Sequence, residues 1–369
     1  MTKSAAEQER LLVASQWRLI RLRFFRHKLA TIALGLLTVF YVGAVFAEFI
    51  APYDPRRNNV ESLSAPPQLP RFVDQDGRFQ LRPFVYGMKS EFDMKTLRRT
   101  YQVDTAQKFP ISLFVRGDPY ELWGLFHSDL HLFGVNEGTM FLFGSDRQGR
   151  DMVSRIIHGG RISLSVGLVG IAISFVLGIV IGGVSGYYGG RVDTVIQRAI
   201  EITRSIPTLP LWMALSIALP PFWTMTQVYF SIVVILSLVG WTDLARVVRG
   251  KFMAVREEDY VMAAAICGAG RVSIIFKHLL PSFYSYIIAS LTLSIPWMIL
   301  GETALSFIGL GLQAPAISWG VLLKGSQEIA VLAKTPWLLL PSVFVIVAIL
   351  AFNFVGDGLR DAADPYTTL

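Results

Sequence analysis

The chain has 369 residues, of which 53% are hydrophobic and only 17% charged. Soluble domains carry roughly a quarter charged residues, so this composition excludes an ordinary water-soluble fold and makes lipid the solvent for much of the chain. The net charge of +7 does not point to nucleic acid. Many of the basic residues gather in the segment Arg10 to Lys28 and in short links between apolar runs, the pattern of positive-inside membrane topology. Cys267 is the single cysteine, so no intrachain disulfide forms; among the small residues Ala263 to Gly270 it reads as a packing residue.

The first apolar run, Leu29 to Ile50, follows Arg18, Arg21, Arg23, Arg26, His27 and Lys28. It meets the roughly 20 residues that a membrane-crossing helix needs. It also exceeds the roughly 7–15 residues of a signal-peptide core, and its basic lead is too long for one. Despite the small-residue context Val45-Phe46-Ala47, it is expected to remain as an uncleaved span. Residues 1-28 then form a cytoplasmic basic lead and 29-51 the first transmembrane helix. Over 52-160, proline, charge and aromatic residues interleave and no stretch can span. Asp76-Gly77, between Arg71-Phe72-Val73 and Phe79-Gln80-Leu81, predicts a hairpin turn. Ile111 to Val115 predicts a further strand, closed by Arg116-Gly117-Asp118-Pro119. Connections this long are rarely structureless, so a small extracytoplasmic α+β insertion is expected here.

Residues 161-369 hold further apolar runs at Ile162 to Tyr187, Ile196 to Leu219, Val228 to Val248, Phe283 to Leu310 and Trp337 to Val355. Glu201, Arg204, Pro207 and Pro210 interrupt the run from Ile196. It is kept as a span because neighbouring helices satisfy the carbonyls that proline frees. The expectation is an all-α polytopic membrane protein with six transmembrane helices, the insertion lying between helices 1 and 2, and both termini cytoplasmic. Arg191, Arg198, Arg246, Arg249, Lys251, Arg256, Arg271 and Lys277 then fall in or beside cytoplasmic links.

The link 249-282 is too polar to span and too long for a turn. Glu257-Glu258-Asp259 opens it, Ala263-Ala264-Ala265 favours helix, and Gly268 and Gly270 interrupt. Arg271 to Leu280 alternates basic and apolar groups at helical spacing before Pro281. Two short helices on the cytoplasmic face are expected, the second stopped by the proline. The chain carries no phosphate-loop pattern, no H-E-x-x-H and no G-x-S-x-G. His127 and His131 stand at a spacing that would share a helix face, without a third metal ligand; no metal site and no catalytic residue is assigned.

Met262, Ala263, Ala264, Gly268, His278, Leu280 and Pro281 align without gaps to the pattern E-A-A-x3-G-x9-I-x-L-P, with Met262 departing from the acidic residue. Further stretches agree: Gly144-Ser145-Asp146 through Gly149-Arg150-Asp151, Ser154-Arg155, and Gly160-Arg161-Ile162-Ser163-Leu164. So do Gly186-Tyr187-Tyr188-Gly189-Gly190-Arg191-Val192-Asp193, Glu302 with Leu305 to Gly311, Ser318-Trp319-Gly320, and Gly356 to Asp361 with Asp364-Pro365. Together they resemble the permeases of the bacterial dipeptide/oligopeptide ABC importer family, in the C-type or second subunit. The family usually has threonine where Ser145 stands. The long segment from Asn58 to Met140 resembles the subgroup of microcin and long-peptide permeases.

The resemblance implies a division of labour. A second homologous permease completes the pathway, two ATPase subunits or domains bind ATP and Mg and hydrolyse the nucleotide, and an extracytoplasmic substrate-binding protein delivers peptides or peptide-like solutes. This chain binds no cofactor and is not itself an enzyme. It implies an ATPase-coupling loop at Ala263, Ala264, Gly268, His278, Leu280 and Pro281, with Glu257, Glu258 or Asp259 replacing the missing acid. It also implies a bacterial inner-membrane location.

Ionisable groups inside spans are costly and so mark function. Glu201, Arg204 and Glu302 are candidates for the pathway or the subunit interface. Glu201 and Arg204, three apart, are also placed to pair with each other, as are Asp243 and Arg246. Gly178, Gly182, Gly183 and Gly186 suit close helix packing. The rival reading, a self-sufficient secondary carrier or channel, requires matching broken helices in two halves, and only one interrupted run is present. A membrane enzyme built on the outer segment lacks any nucleophile or metal constellation.

Overall fold

The computed structural model describes residues 16–94, 98–270 and 273–363. Arg10, Arg271 and Asp364-Pro365, used above, lie outside the described residues. The chain divides into two compact units, one of 1–38, 166–305 and 346–369, the other of 39–165 and 306–345.

The helices follow the apolar runs, with differences that have physical causes. Helix α1 (Gln16–Arg26) is basic and is followed by α2 (Lys28–Val45), the first long apolar helix. The first run does not make one helix to Ile50. The chain breaks at Phe46, and a single turn, α3 (Ala47–Ile50), follows. Helix α4 (Met152–Tyr188) starts well before its apolar run, because Asp151 caps it: Asp151 Oδ2 accepts from the Ser154 backbone N–H and hydroxyl at 2.7 Å each.

The run Ile196 to Leu219 is corrected. It forms α5 (Gly190–Ser205) and a separate short helix α6 (Thr208–Ile217), with Ile206 extended between them. Pro207 forces its predecessor out of the helical region, and neither α5 nor α6 is by itself both long and apolar enough to cross. Helices α7 (Met225–Val255), α8 (Asp259–Ile266), α9 (Tyr284–Ile308), α10 (Trp319–Lys324), α11 (Ile329–Leu332) and α12 (Leu340–Ala363) follow among the described residues. Among the described residues, five helices are long and apolar enough to cross a membrane, within Lys28–Val45, Met152–Tyr188, Met225–Val255, Tyr286–Ile308 and Pro336–Ala363. The protein is thus polytopic and mostly helical.

Between α3 and α4 lies a four-stranded antiparallel meander: β1 (Arg71–Val73), β2 (Phe79–Asp93), β3 (Arg98–Leu122) and β4 (Phe126–Val135), in that order. The hairpin expected at Asp76-Gly77 joins β1 to β2, with Gly77 at φ 76° and Asp74 Oδ1 accepting from the Arg78 backbone N–H at 2.8 Å. The strand expected at Ile111 to Val115 is longer than predicted. β3 pairs with β2 up to Pro110 and with β4 from Ile111 onward, so changing partner lets one strand carry both hairpins. Arg116 to Pro119 does not close it; the register merely shifts there, a bulge within the ladder. His127 and His131 share a strand, not a helix. His127 pairs with Glu121 at 2.8 Å, and His131 is buried with its ring nitrogens facing the carbonyls of Ala51 and Asp118.

Candidate functional site

Four glycines set how closely α4 and α7 approach. A Cβ on Gly178 would lie 2.8 Å from Leu244 side-chain atoms, on Gly182 2.4 Å from the Ala245 carbonyl oxygen, on Gly183 2.9 Å from the Phe252 ring, and on Gly186 2.7 Å from the Arg249 carbonyl oxygen. Backbone meets backbone along this face, as in small-xxx-small packing. At its end Asp193, on α5, makes a two-pronged ion pair with Arg249 of α7. Hydrogen bonds from Arg249 hold the Asp193 carboxyl below the usual carboxylate range. Arg256 reaches the Gly186 and Tyr187 carbonyls at 3.4 and 3.5 Å. Gly186 to Asp193 therefore anchors the segment at which α7 ends and the link begins.

The link itself has an inner and an outer face. Val261, Ile274, Leu279, Leu280 and Phe283 are buried with Ile179, Leu244, Val248, Phe252 and Ile287 in one cluster. Burying the link's Val261, Ile274, Leu279 and Leu280, at about 1.5–3 kcal/mol each, holds it against the helices. Its outer face stays open and apolar: Tyr260 is 46%, Met262 47%, Ile266 86% and Phe276 51% exposed. Ala263, Gly268 and Cys267 are also exposed, and Ala264 half-buried. The sequence reading named the alanines and missed Tyr260, Ile266 and Phe276; an exposed face is defined only by which side chains are buried opposite.

Helix α8 ends in a Schellman motif. The Gly268 N–H donates to the Ala265 carbonyl and the Ala269 N–H to the Ala264 carbonyl, both at 3.0 Å. Gly268 has φ 82° with nothing within 4 Å of a would-be Cβ, so conformation and not space demands glycine here. Glu257, Glu258 and Asp259 are all exposed; Glu257 pairs with Arg256 at 3.2 Å, while Glu258 and Asp259 stand at the N-cap and first turn of α8, where negative charge is favoured.

The expectation that Pro281 stops a second short helix is corrected. Ile274–Leu279 is a π-helical turn, Leu280–Phe283 a 3₁₀ turn, and α9 follows directly. The Leu280 N–H reaches back to the Ile275 carbonyl. Proline has no N–H to give, and the change of winding absorbs the missing bond while the chain continues as helix. His278 is half-buried on the π turn.

The membrane-region candidates are not brought together. Arg204 pairs with Asp243 rather than with Glu201, and Glu201 pairs with Arg198 at 2.7 Å. The expected pairs Glu201–Arg204 and Asp243–Arg246 are thus replaced by a pair joining α5 to α7. Glu302 is fully enclosed by this chain's own residues.

In the other unit, Gly144 to Arg155 forms a polar lock. Asp146 Oδ1 accepts from the Gln148 and Arg150 backbone N–H groups at 2.8 and 3.0 Å. Its Oδ2 pairs with Arg150 at 2.7 Å and Arg155 at 3.2 Å. The Ser145 hydroxyl donates to the Ser62 carbonyl and accepts from the Ala65 N–H at 2.7 Å, chemistry that threonine would share. Trp319 seats its ring over Gly159 and Gly160, donating from Nε1 to the Ile156 carbonyl at 3.0 Å.

Asp151 is the strained member of this lock. Its Oδ1 is buried without a hydrogen-bond partner, and burial pushes its carboxyl up to about 6. The folded state therefore holds a proton that the unfolded chain releases near pH 4. That contribution to stability is full below the unfolded value and lost as pH rises through about 6. Relative to Asp151→Asn, the wild-type protein is expected to gain about 1 kcal/mol on acidification from pH 7 to pH 5. Thermal unfolding of both proteins in detergent at the two pH values measures it; parallel shifts would refute the buried-proton account.

Comparison with known proteins identifies the family. Residues 175–368 match the family model described as binding-protein-dependent transport system inner membrane component, and residues 15–67 match the N-terminal TM domain of oligopeptide transport permease C. The oligopeptide transport system permease protein OppC of Haemophilus influenzae is 41% identical over 230 residues, covering 62% of this chain and 71% of that one. The dipeptide transport system permease protein DppC of Bacillus subtilis is 40% identical over 224 residues, covering 60% and 68%. A solved chain of the inward-facing MetNI methionine ABC transporter aligns at 20% identity and TM-score 0.44, over 57% of this chain and 97% of that one. Its long apolar helices and the family model that matches over half its length agree: this chain belongs to the binding-protein-dependent transport system inner membrane components, as a permease subunit of the peptide ABC importers.

Proposed function

We propose that this chain forms half of the translocation pathway of an ATP-driven importer for peptides or peptide-like solutes, with a second homologous permease forming the rest. Two ATPase subunits or domains, carrying ATP and Mg, would bind the link from Arg249 to Ser282. A substrate-binding protein would deliver solute to the side bearing the β-meander, which is then extracytoplasmic. The short helix α6 would complete a sixth crossing with α5, leaving both termini in the cytoplasm of an inner-membrane protein.

The observation that carries the coupling reading is the two-faced link. Its inner face is bound into the helix core, and its outer face exposes Met262, Ala263 and Ile266 on one side of α8. An apolar face of this kind, rimmed by Glu257, Glu258 and Asp259, suits docking into a groove on a soluble partner. Because the π and 3₁₀ turns run into α9 without a break, a push on α8 would be transmitted to a membrane helix, biasing the pathway between two states.

The test is purification of the tagged chain in mild detergent with mass spectrometry of what accompanies it, followed by reconstitution. A second permease and ATPase subunits, with transport dependent on ATP, are the expected result. A chain that is stable alone and transports in liposomes without ATP would overturn the reading in favour of a secondary carrier.

A further inference from the structure

The β3–β4 hairpin ends in a tip that is apolar where hairpin tips are ordinarily polar. Its sequence is Leu122-Trp123-Gly124-Leu125-Phe126. Trp123, Leu125 and Phe126 are 48%, 73% and 60% exposed. Turn positions of positive φ ordinarily go to glycine, asparagine or aspartate. Here Trp123 itself takes φ 55°, ahead of Gly124 at 69°, a conformation that costs a non-glycine residue about 1–2 kcal/mol.

Two contacts hold the indole in this place. Its Nε1–H donates to the Val45 carbonyl at 2.8 Å, and its ring packs on Phe46 with centroids 5.4 Å apart. Val45 is the last residue of α2. At 1.5 Å per residue this helix is about 27 Å long, close to the roughly 30 Å of a bilayer's hydrocarbon core. Arg26 and Lys28 stand at its start, so Val45 stands at the opposite border. The same carbonyl accepts from Arg161 at 3.2 Å, and Arg161 pairs with Glu48 at 2.6 Å. A charge pair beside an indole is the composition of a membrane–water boundary.

The height of the tip is set by the fold. The Phe49 ring lies 6.4 Å from that of Phe114 on β3, and the His131 ring nitrogen on β4 faces the Ala51 carbonyl at 2.5 Å. Both tie the hairpin to the chain immediately after the first span. Glu121 and His127 pair across the two strands immediately behind the tip, and the tip itself is uncharged.

We propose that the β3–β4 tip is an interfacial membrane anchor, with Trp123, Leu125 and Phe126 inserted at the headgroup–acyl boundary of the phospholipid bilayer beside the end of α2. Lipid is the occupant because the tip continues the apolar surface of a membrane helix at the level where that helix leaves the hydrocarbon. The anchor fixes the meander relative to the bilayer. It rests on α2 crossing the membrane, not on the identity of the solute.

The test uses the assembled transporter in phosphatidylcholine–phosphatidylglycerol nanodiscs, with this chain carrying Cys267→Ser and one nitroxide label. Labels are placed at Leu125→Cys and, separately, Phe126→Cys. Leu81→Cys on β2, where the native side chain is 87% exposed, serves as the aqueous reference, and Val39→Cys on α2, natively 65% exposed, as the lipid reference. Spin-label saturation is measured with oxygen, which partitions into lipid, and with a soluble nickel chelate. The tip labels are expected to show an oxygen-to-nickel accessibility ratio several-fold above that at position 81. Tip labels as open to nickel as position 81 would overturn the anchor in favour of a solvated tip. Tip labels shielded from both reagents would overturn it in favour of a protein partner. A label at position 39 without the lipid signature would overturn the span on which the anchor rests.

Discussion

Gly182→Leu is expected to separate α4 from α7 and to abolish the folded permease. A Cβ at this position would meet the Ala245 carbonyl oxygen at 2.4 Å and its Cα at 2.8 Å. Both are backbone atoms, so no rotamer change relieves the clash. Even one added methyl group in a packed interior costs about 1–3 kcal/mol, and leucine adds three more carbons. The helices would have to part along the whole face from Gly178 to Gly186, carrying with them the Asp193–Arg249 pair at its end. Gly35→Leu is the matched control, because a Cβ on Gly35 meets nothing within 4 Å. Membrane yield and thermal unfolding in detergent of the two variants decide the matter. Indistinguishable behaviour would show that the close approach of α4 and α7 is not what the fold depends on.

Ile266→Asp and Gly268→Trp are expected to uncouple transport while leaving the chain folded and inserted. Ile266 is 86% exposed, and surface substitutions ordinarily change stability by less than about 0.5 kcal/mol. If the outer face of α8 docks on an ATPase, burying isoleucine there contributes about 1.5–3 kcal/mol. Its loss weakens association tenfold or more, since each 1.4 kcal/mol is about tenfold, and a desolvated carboxylate adds to this. Gly268→Trp has open space for its side chain but a backbone at φ 82°. It places bulk over the docking face, at a strain of about 1–2 kcal/mol. Both variants are expected to bring solute-stimulated ATP hydrolysis of the reconstituted transporter down to its basal rate, with unchanged membrane content of this chain. Normal stimulation in both would remove the link from the coupling machinery.

The positions of the long helices were legible because a lipid-facing helix must be apolar along its length, whatever it packs against. Lys28–Val45 and Met225–Val255 therefore each overlap an apolar run, although the first helix stops at Val45 and the second runs on past Val248. The run at Ile196 to Leu219 failed for the same reason in reverse: Pro207 and the charges of α5 are local signals, and they outweighed its mean apolarity. The glycine face of α4 was also visible as spacing alone, though its partner, Ala245 to Phe252, was not.

The amino-acid order on its own established a polytopic membrane chain, the turn at Asp76-Gly77, the α8 helix with its terminating glycine, and a family resemblance carried by short motifs. These depend on local conformational preference and on hydropathy, which act within a few residues. Long-range contact alone settled the rest. Arg204 chose Asp243 over Glu201, four residues or fewer being no advantage once α7 lay beside α5. Pro281 bent the winding from π to 3₁₀ instead of stopping a helix, because Ile274, Leu279, Leu280 and Phe283 gain more from staying buried than the chain loses in one backbone bond. β3 changed partner at Pro110, and Trp123 accepted an unfavourable φ for a carbonyl on a helix that ends far before it in sequence. Energies of about 1–3 kcal/mol from burial and hydrogen bonding between distant residues override local preferences of about 1 kcal/mol, and which distant residues meet is a property of the packed molecule.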